Sequence, residues 1–265
     1  MTRGFVIVAE NNATTDYVKC AEILARSMKK VMPMCSITLL TDNRTPVRAD
    51  DFDNILSMTS QPDSGEYKIL NDVQVYAMSP YDETIKLEAD MILPRSIEHW
   101  WDVLGQQDVV ISTTIRNFKG EISDCRVYRR FIDENALPDV YNAITYFKKS
   151  ESAEQFFEIV KDVAENWAEY KATLKCNPQE EVSTDWAYSI ASHIVGIEKT
   201  TMPTFTEMSM AHMKQFVNGL PSDDWTHTLV YELLPDVIRV NTYTQNYPFH
   251  YHSKAFSAKI ESIYV

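Results

Sequence analysis

Residues 84–94, TIKLEADMILP, place two carboxylates, Glu88 and Asp90, inside an otherwise apolar segment that Pro94 closes. In an extended chain residues i and i+2 project to the same side, so the two acids point together beyond the strand. Like charges held that close require either that one takes up a proton or that a cation sits between them, and a hard divalent ion suits such oxygen ligands. With 38 acidic residues in the chain, acid-x-acid is a weak signal alone. Asp51-Phe52-Asp53 is a second instance, but it precedes a strand instead of following one, which predicts a solvated loop. Far downstream, residues 241–256, NTYTQNYPFHYHSKAF, gather His250, His252 and Lys254 among aromatics. A segment so aromatic is expected to fold back onto the domain.

The elements that would position these residues read as an α/β succession. Residues 5–9, FVIVA, form a continuous apolar, β-branched run, the pattern of a strand buried on both faces of a parallel sheet. It ends in Glu10-Asn11-Asn12, and ligands of open α/β sheets bind at that carboxyl edge, which marks Ala9 to Asn12 for a nucleotide. Thr14 and Thr15 are candidate caps for a helix over 16–32, with Tyr17, Ala21, Leu24, Met28 and Val31 on one face. A second strand over 36–40, SITLL, ends at Thr41-Asp42, giving a right-handed βαβ unit. A short third strand (54–58), a turn (61–65), a helix (67–78), the acid-bearing strand, a helix (96–104) and a buried strand (108–112) follow. The second half holds a turn and strand over 140–147, an amphipathic helix over 151–167 capped by Ser150, and a helix over 185–195 that begins with Asp185. Asp185 is either a charge suited to the helix dipole or a residue directed into a site, and His193 on the same helix is expected to be structural. Beyond Gly196 the pattern becomes irregular.

Composition excludes several classes. Six glycines form neither G-x-G-x-x-G nor a P-loop, and G-x-S-x-G is absent. The four cysteines, Cys20, Cys35, Cys125 and Cys176, have no C-x-x-C spacing and are expected to be buried thiols. No apolar run approaches a membrane span or a signal peptide, so a cytoplasmic protein is expected. The net charge of −13 requires a local basic patch for any polyanion. Residues 113–130 supply one candidate, with Arg116, Lys119, Arg126, Arg129 and Arg130 against Glu121 and Asp124. This island is either a solvated loop or a contact for an anionic acceptor.

Taken in order, this constellation resembles the nucleotide-sugar-dependent glycosyltransferases of the GT-A fold, the family 8-like members in particular. FVIVAENN, SITLLTD, YDETIKLEADMIL, LPDVYNAITYFKKSESAEQFF, TDWAYSIAS and FHYHSKAF carry the resemblance over most of the chain. It implies an α/β GT-A fold with a mostly parallel central sheet flanked by helices, as a single domain over 1–265. Residues 1–112 would be the nucleotide-binding half, 113–240 the acceptor half and 241–265 a segment closing over the diphosphate. It implies Mn²⁺ or Mg²⁺ held by Asp90 and His252, with Glu88, where the family has Asp, contacting the ribose or reaching the metal through water. Lys254 would hold the diphosphate, while Ala9, Glu10, Asn11 and Asp42 would line the uracil and ribose pocket of a UDP-sugar. Asn142 and Asp185 fall where family members contact the transferred sugar or the acceptor. The family glycine between the terminal His and Lys is missing. An inverting reaction needs a carboxylate base such as Asp185, and a retaining one can use the leaving phosphate. The acceptor is open between a protein, a glycan, a small molecule and, through the basic island, 5-hydroxymethylcytosine in phage DNA, which would place the enzyme in a host cytoplasm. A nucleotidyltransferase and a non-catalytic interaction protein are the competing readings.

Overall fold

A computed structural model describes residues 1–59, 69–124, 129–175, 181–234 and 237–264 of the chain. In chain order the strands are β1 Arg3–Val8, β2 Ile37–Thr41, β3 Asn54–Ser57, β4 Glu83–Glu88, β5 Met91–Ile92, β6 Val109–Ser112 and β7 Thr114–Arg116, then β8 Tyr141–Lys148, β9 Ser209–His212, β10 Tyr231–Leu234, β11 Val237–Val240, β12 Tyr243–Thr244 and β13 Phe249–His250. Six of them form the central sheet in the order β3-β2-β1-β4-β8-β6. Only β8 runs against its neighbours, pairing antiparallel with both β4 and β6. The sheet is therefore mainly parallel, as expected.

Both faces of that sheet are covered, which is why its strands are apolar runs and not alternating ones. Phe5, Ile7 and Leu39 join one core with the helix Tyr17–Val31, while Val6 and Leu40 join a second with the helices Glu151–Glu165 and Thr184–Val195. The first of these helices is capped by Asp16, whose carboxylate accepts from Lys19 N at 2.9 Å, and not by Thr14 or Thr15. Ser150 caps Glu151–Glu165 as expected, its Oγ accepting from Ala153 N. The helix expected over 67–78 is two short helices, Ile69–Val73 and Val75–Met78, with Gln74 between them. Tyr67 and the turn expected over 61–65 lie outside the described residues.

β1 pairs on one side with β2 and on the other with β4, so the chain order reverses between β1 and β4. That reversal opens a crevice at the carboxyl ends of these strands, where Val8 is in register with Glu88.

The region after Gly196 is more regular than its sequence indicates. A second sheet, ordered β5-β13-β9-β7, runs beside the carboxyl edge, and β10, β11 and β12 form an antiparallel sheet. These strands of two to four residues are too short to show a period. The aromatic segment folds back as expected: β13 lies between β5 and β9, and buried Trp225 donates from Nε1 to Tyr251 O at 2.7 Å.

Candidate active site

The crevice is a cleft of about 450 Å³. Val8, Ala9, Glu10 and Asn12 line it from the end of β1; Lys86, Glu88, Ala89 and Asp90 from β4 and the turn after it; His250, His252 and Lys254 from β13 and beyond. Glu88 ends β4 and Asp90 sits in the turn before β5, so the turn that carries the chain from the central sheet to the second sheet delivers both acids to one place. His250 Nε2 lies 3.0 Å from Asp90 Oδ2 and 3.5 Å from Glu88 Oε2, and Lys254 Nζ contacts Asp90 Oδ2 directly.

These contacts divide the two acids. Burial pushes the carboxyl of Asp90 up, but His250 and Lys254 outweigh it and hold the group well below the usual carboxylate range. Glu88 goes the other way: burial raises it, and the attraction of His250 and Lys86 does not restore it. The expected conflict between like charges is thus resolved through unequal surroundings.

Among the described residues, Asp90, His250 and His252 are the group that can hold a metal ion, their ligand atoms all lying within 4.8 Å of one another. One carboxylate and two imidazoles fit a divalent transition ion such as Mn²⁺. The sequence reading named His252 and passed over His250, yet the direct contact with both acids is made by His250. The i, i+2 rule that paired Glu88 with Asp90 would have paired the two histidines as well; the intervening Tyr251 is buried. His252 adopts φ +58°, the left-handed conformation for which glycine is favoured. Burial, with neighbouring His250, Lys214 and Lys254, pulls its imidazole from 6.5 to about 4, despite the half-exposed Asp223 at 3.4 Å.

Behind His250 stands His212, with the two Nδ1 atoms 2.9 Å apart. Burial and His250 drive His212 well below its usual value, so it is neutral. When His250 offers the Nε2 lone pair to a cation, its Nδ1–H donates to His212 Nδ1, an outer partner that fixes ring and tautomer.

Around the nucleotide edge the expected residues separate. Ala9 and Glu10 line the cleft, and Glu10 accepts from Asn71 Nδ2 at 3.0 Å and from Arg44 at 3.3 Å. Asn11 instead turns to the first helix, its Oδ1 accepting from Val18 N at 2.9 Å, and Asn12 takes the cleft position. Asp42 closes a turn, accepting from Arg44 N and Thr45 N, and reaches the cleft only through Arg44, which bridges it to Glu10.

Opposite them, Asn142 and Asp185 both line the cleft. Asp185 Oδ2 is 2.6 Å from Arg129 Nη1, and Arg129 also binds Asp139 at 2.5 Å and Val140 O at 2.7 Å, with its guanidinium 4.2 Å from the Tyr141 ring. Arg129 is 1 % exposed, so it orients Asp185 and is not a surface contact. Arg116 is likewise internal, donating to Ser209 Oγ, Gly120 O and Thr206 O and lying 4.1 Å from the Tyr247 ring. The basic island is therefore not one patch. Arg130 is exposed beside Glu134 and Lys119 is exposed, while Arg126 lies outside the described residues. Sequence proximity to Arg130 conceals this because Asp139, ten residues on, and Asp185, 56 residues on, pair with Arg129.

Three further expectations are corrected or narrowed. Asp51 and Asp53 pair with Arg26 and Lys29 of the first helix, each at 2.8 Å; Asp51 is largely covered, while Asp53 stays exposed as expected. His193 is exposed and not packed. Cys20 and Cys35 are buried free thiols, whereas Cys125 and Cys176 lie outside the described residues. No helix among the described residues is long and apolar enough to cross a membrane.

No protein-family profile and no characterised sequence matches the chain. Solved structures do. The galactosyltransferase LgtC, in complex with donor and acceptor sugar analogues, superposes with a TM-score of 0.50 at 12% identity, covering 75% of this chain and 72% of LgtC. Mouse xyloside xylosyltransferase 1 gives 0.46 at 9% identity, over 76% of this chain and 84% of that enzyme. The glycosyltransferase GlyE of Streptococcus pneumoniae TIGR4 gives 0.45 at 12% identity over 76% of this chain, which spans only 45% of GlyE. A mainly parallel sheet reversing between β1 and β4, flanked by helices on both faces and matched by LgtC, gives this chain the GT-A glycosyltransferase fold.

Proposed function

We propose that the chain is a metal-dependent glycosyltransferase that moves a sugar from a UDP-sugar to an acceptor hydroxyl. The observation that carries this is the meeting of Glu88 and Asp90, at the carboxyl edge of the sheet, with His250, His252 and Lys254, brought from the far end of the chain. That is a carboxylate–imidazole set beside a primary ammonium, the equipment for binding a diphosphate.

In this reading Ala9, Glu10 and Asn12 hold the nucleoside, and Asp42 supports Glu10 through Arg44. Asp90, His250 and His252 would hold Mn²⁺ or Mg²⁺, which supplies charge stabilisation of the departing diphosphate. Lys254 leaves Asp90 for the phosphate oxygens, and Glu88, held as the less acidic partner, donates to or accepts from the ribose. Asn142 and Asp185 position the transferred sugar and the incoming hydroxyl, Asp185 being kept in place by Arg129. A hydroxymethylated DNA acceptor would have to be recruited through Lys119 and Arg130 against a net charge of −13, whereas a glycan, protein or small-molecule hydroxyl needs no basic track.

Thermal unfolding with UDP and Mn²⁺ together is the test. Saturation at about 100 times the dissociation constant adds about 2.7 kcal/mol. The absence of a shift, or the same shift in Asp90→Ala, refutes the site.

A further inference from the structure

The floor of the cleft contains charges that nucleotide and diphosphate binding leave unused. Lys86 lies two residues before Glu88 on the same face of β4 and is 1 % exposed. Its Nζ is 2.6 Å from Asp72 Oδ1, on the helix Ile69–Val73, and donates to the Asn142 carbonyl oxygen at 3.3 Å. Asp72 lines the cleft with its side chain 14% exposed. Asn142 also lines it and is 3 % exposed; its Oδ1 accepts from Thr184 Oγ1 at 3.1 Å, while its Nδ2 has no partner among the described residues.

A buried ion pair is not a device for stability, since hydrophobic residues of the same volume do as well or better. A buried amide donor left bare is costly unless something arrives to accept from it. Here one ammonium tethers both groups, so that a carboxylate, which only accepts, and an amide N–H, which only donates, open into the same cleft. A sugar hydroxyl both donates and accepts, and it satisfies such a pair fully. A carboxylate on the ligand satisfies only the amide and meets Asp72 as a like charge.

Resting on the glycosyltransferase reading, we propose that Asp72, clamped by Lys86, acts with Asn142 as the reader of hydroxyls on the transferred sugar and selects a neutral hexose over a hexuronic acid. Lys86 is a positioning residue: its ammonium, 2.6 Å from Oδ1, keeps the Asp72 carboxylate directed at the cleft.

The test is calorimetric binding, in the presence of Mn²⁺, of UDP and of the non-transferable phosphono analogues of UDP-glucose, UDP-galactose and UDP-glucuronate. The intact protein should bind at least one neutral analogue more tightly than UDP and gain nothing from the glucuronate. Asp72→Asn should lose about ten-fold or more of the neutral analogue's affinity, the worth of a hydrogen bond to a charged group, with UDP affinity unchanged. Asp72→Leu with Lys86→Met removes both charges together, guards against a folding defect from an unpaired lysine, and should give the same result. An unchanged advantage of the neutral sugar over UDP in both variants overturns the proposal, as does tighter binding of the glucuronate analogue by the intact protein. Failure of the intact protein to bind UDP refutes the glycosyltransferase reading itself, and this proposal with it.

Discussion

Replacing Lys254 by alanine should change metal and nucleotide binding in opposite directions. Lys254 Nζ contacts Asp90 Oδ2, the carboxylate that the metal site needs, and Asp90 is 6% exposed, so screening at this contact is weak. An incoming dication must displace the ammonium, which then requires a new anionic partner; the diphosphate is that partner. A hydrogen bond to a charged group is worth about 1.5–3 kcal/mol, so removing the competitor should strengthen binding of Mn²⁺ alone by about ten-fold. At a Mn²⁺ concentration ten times the intact protein's dissociation constant, stabilisation rises from RT ln 11, about 1.4 kcal/mol, to RT ln 101, about 2.7 kcal/mol. For a chain of this size that difference is about 3 °C in Tm relative to each protein's own metal-free baseline. UDP affinity at saturating Mn²⁺ should fall by about ten-fold over the same substitution, because the phosphate loses its ammonium. Scanning fluorimetry with Mn²⁺ alone, UDP alone and both together measures all of these shifts. A Lys254→Ala protein that binds Mn²⁺ alone less tightly, or as tightly as before, refutes the competition between lysine and metal for Asp90.

Two further outcomes follow from the surroundings of the site. Arg129→Met strands Asp139 and Asp185 without their shared guanidinium and should cost about 3–5 kcal/mol in urea unfolding; a loss below about 1 kcal/mol, with salt-dependent DNA binding abolished, would restore Arg129 as a surface contact. His252 titrates near 4 in the folded protein against 6.5 ordinarily, so the unfolded chain binds the proton first as pH falls. The contribution of His252 is therefore complete above about 6.5 and is lost as pH drops towards 4, and the urea midpoint of His252→Gln should fall less steeply across that window; equal slopes refute the assignment.

The strands and helices of the central sheet were legible because burial on both faces writes long apolar runs: FVIVA and SITLL each match a strand within two residues. The acid pair was legible through the two-residue period of an extended chain. What escaped notice was set by partners remote in sequence. Arg129 looks basic beside Arg130, and only the fold brings Asp185, 56 residues on, to it. Lys86 looks like an interruption in an apolar strand until Asp72 approaches from the preceding helix. His252 is singled out by the resemblance to the family's terminal His and Lys, whereas His250 is readable only by extending the two-residue period across Tyr251, and its contact with the acids depends on β13 docking beside β5.

The place of β13 between β5 and β9 also sets an order of events during synthesis. Asp90 and His250 are 160 residues apart in sequence, a separation that translation at about 5–20 residues per second covers in roughly 8–32 s. Throughout that interval β5 has no β13 to pair with, and Glu88 and Asp90 stand without the imidazole and the ammonium that offset their charge. Binding competence therefore does not accumulate gradually on the ribosome. It arrives late, when a strand of two residues docks and closes a loop of 160 residues.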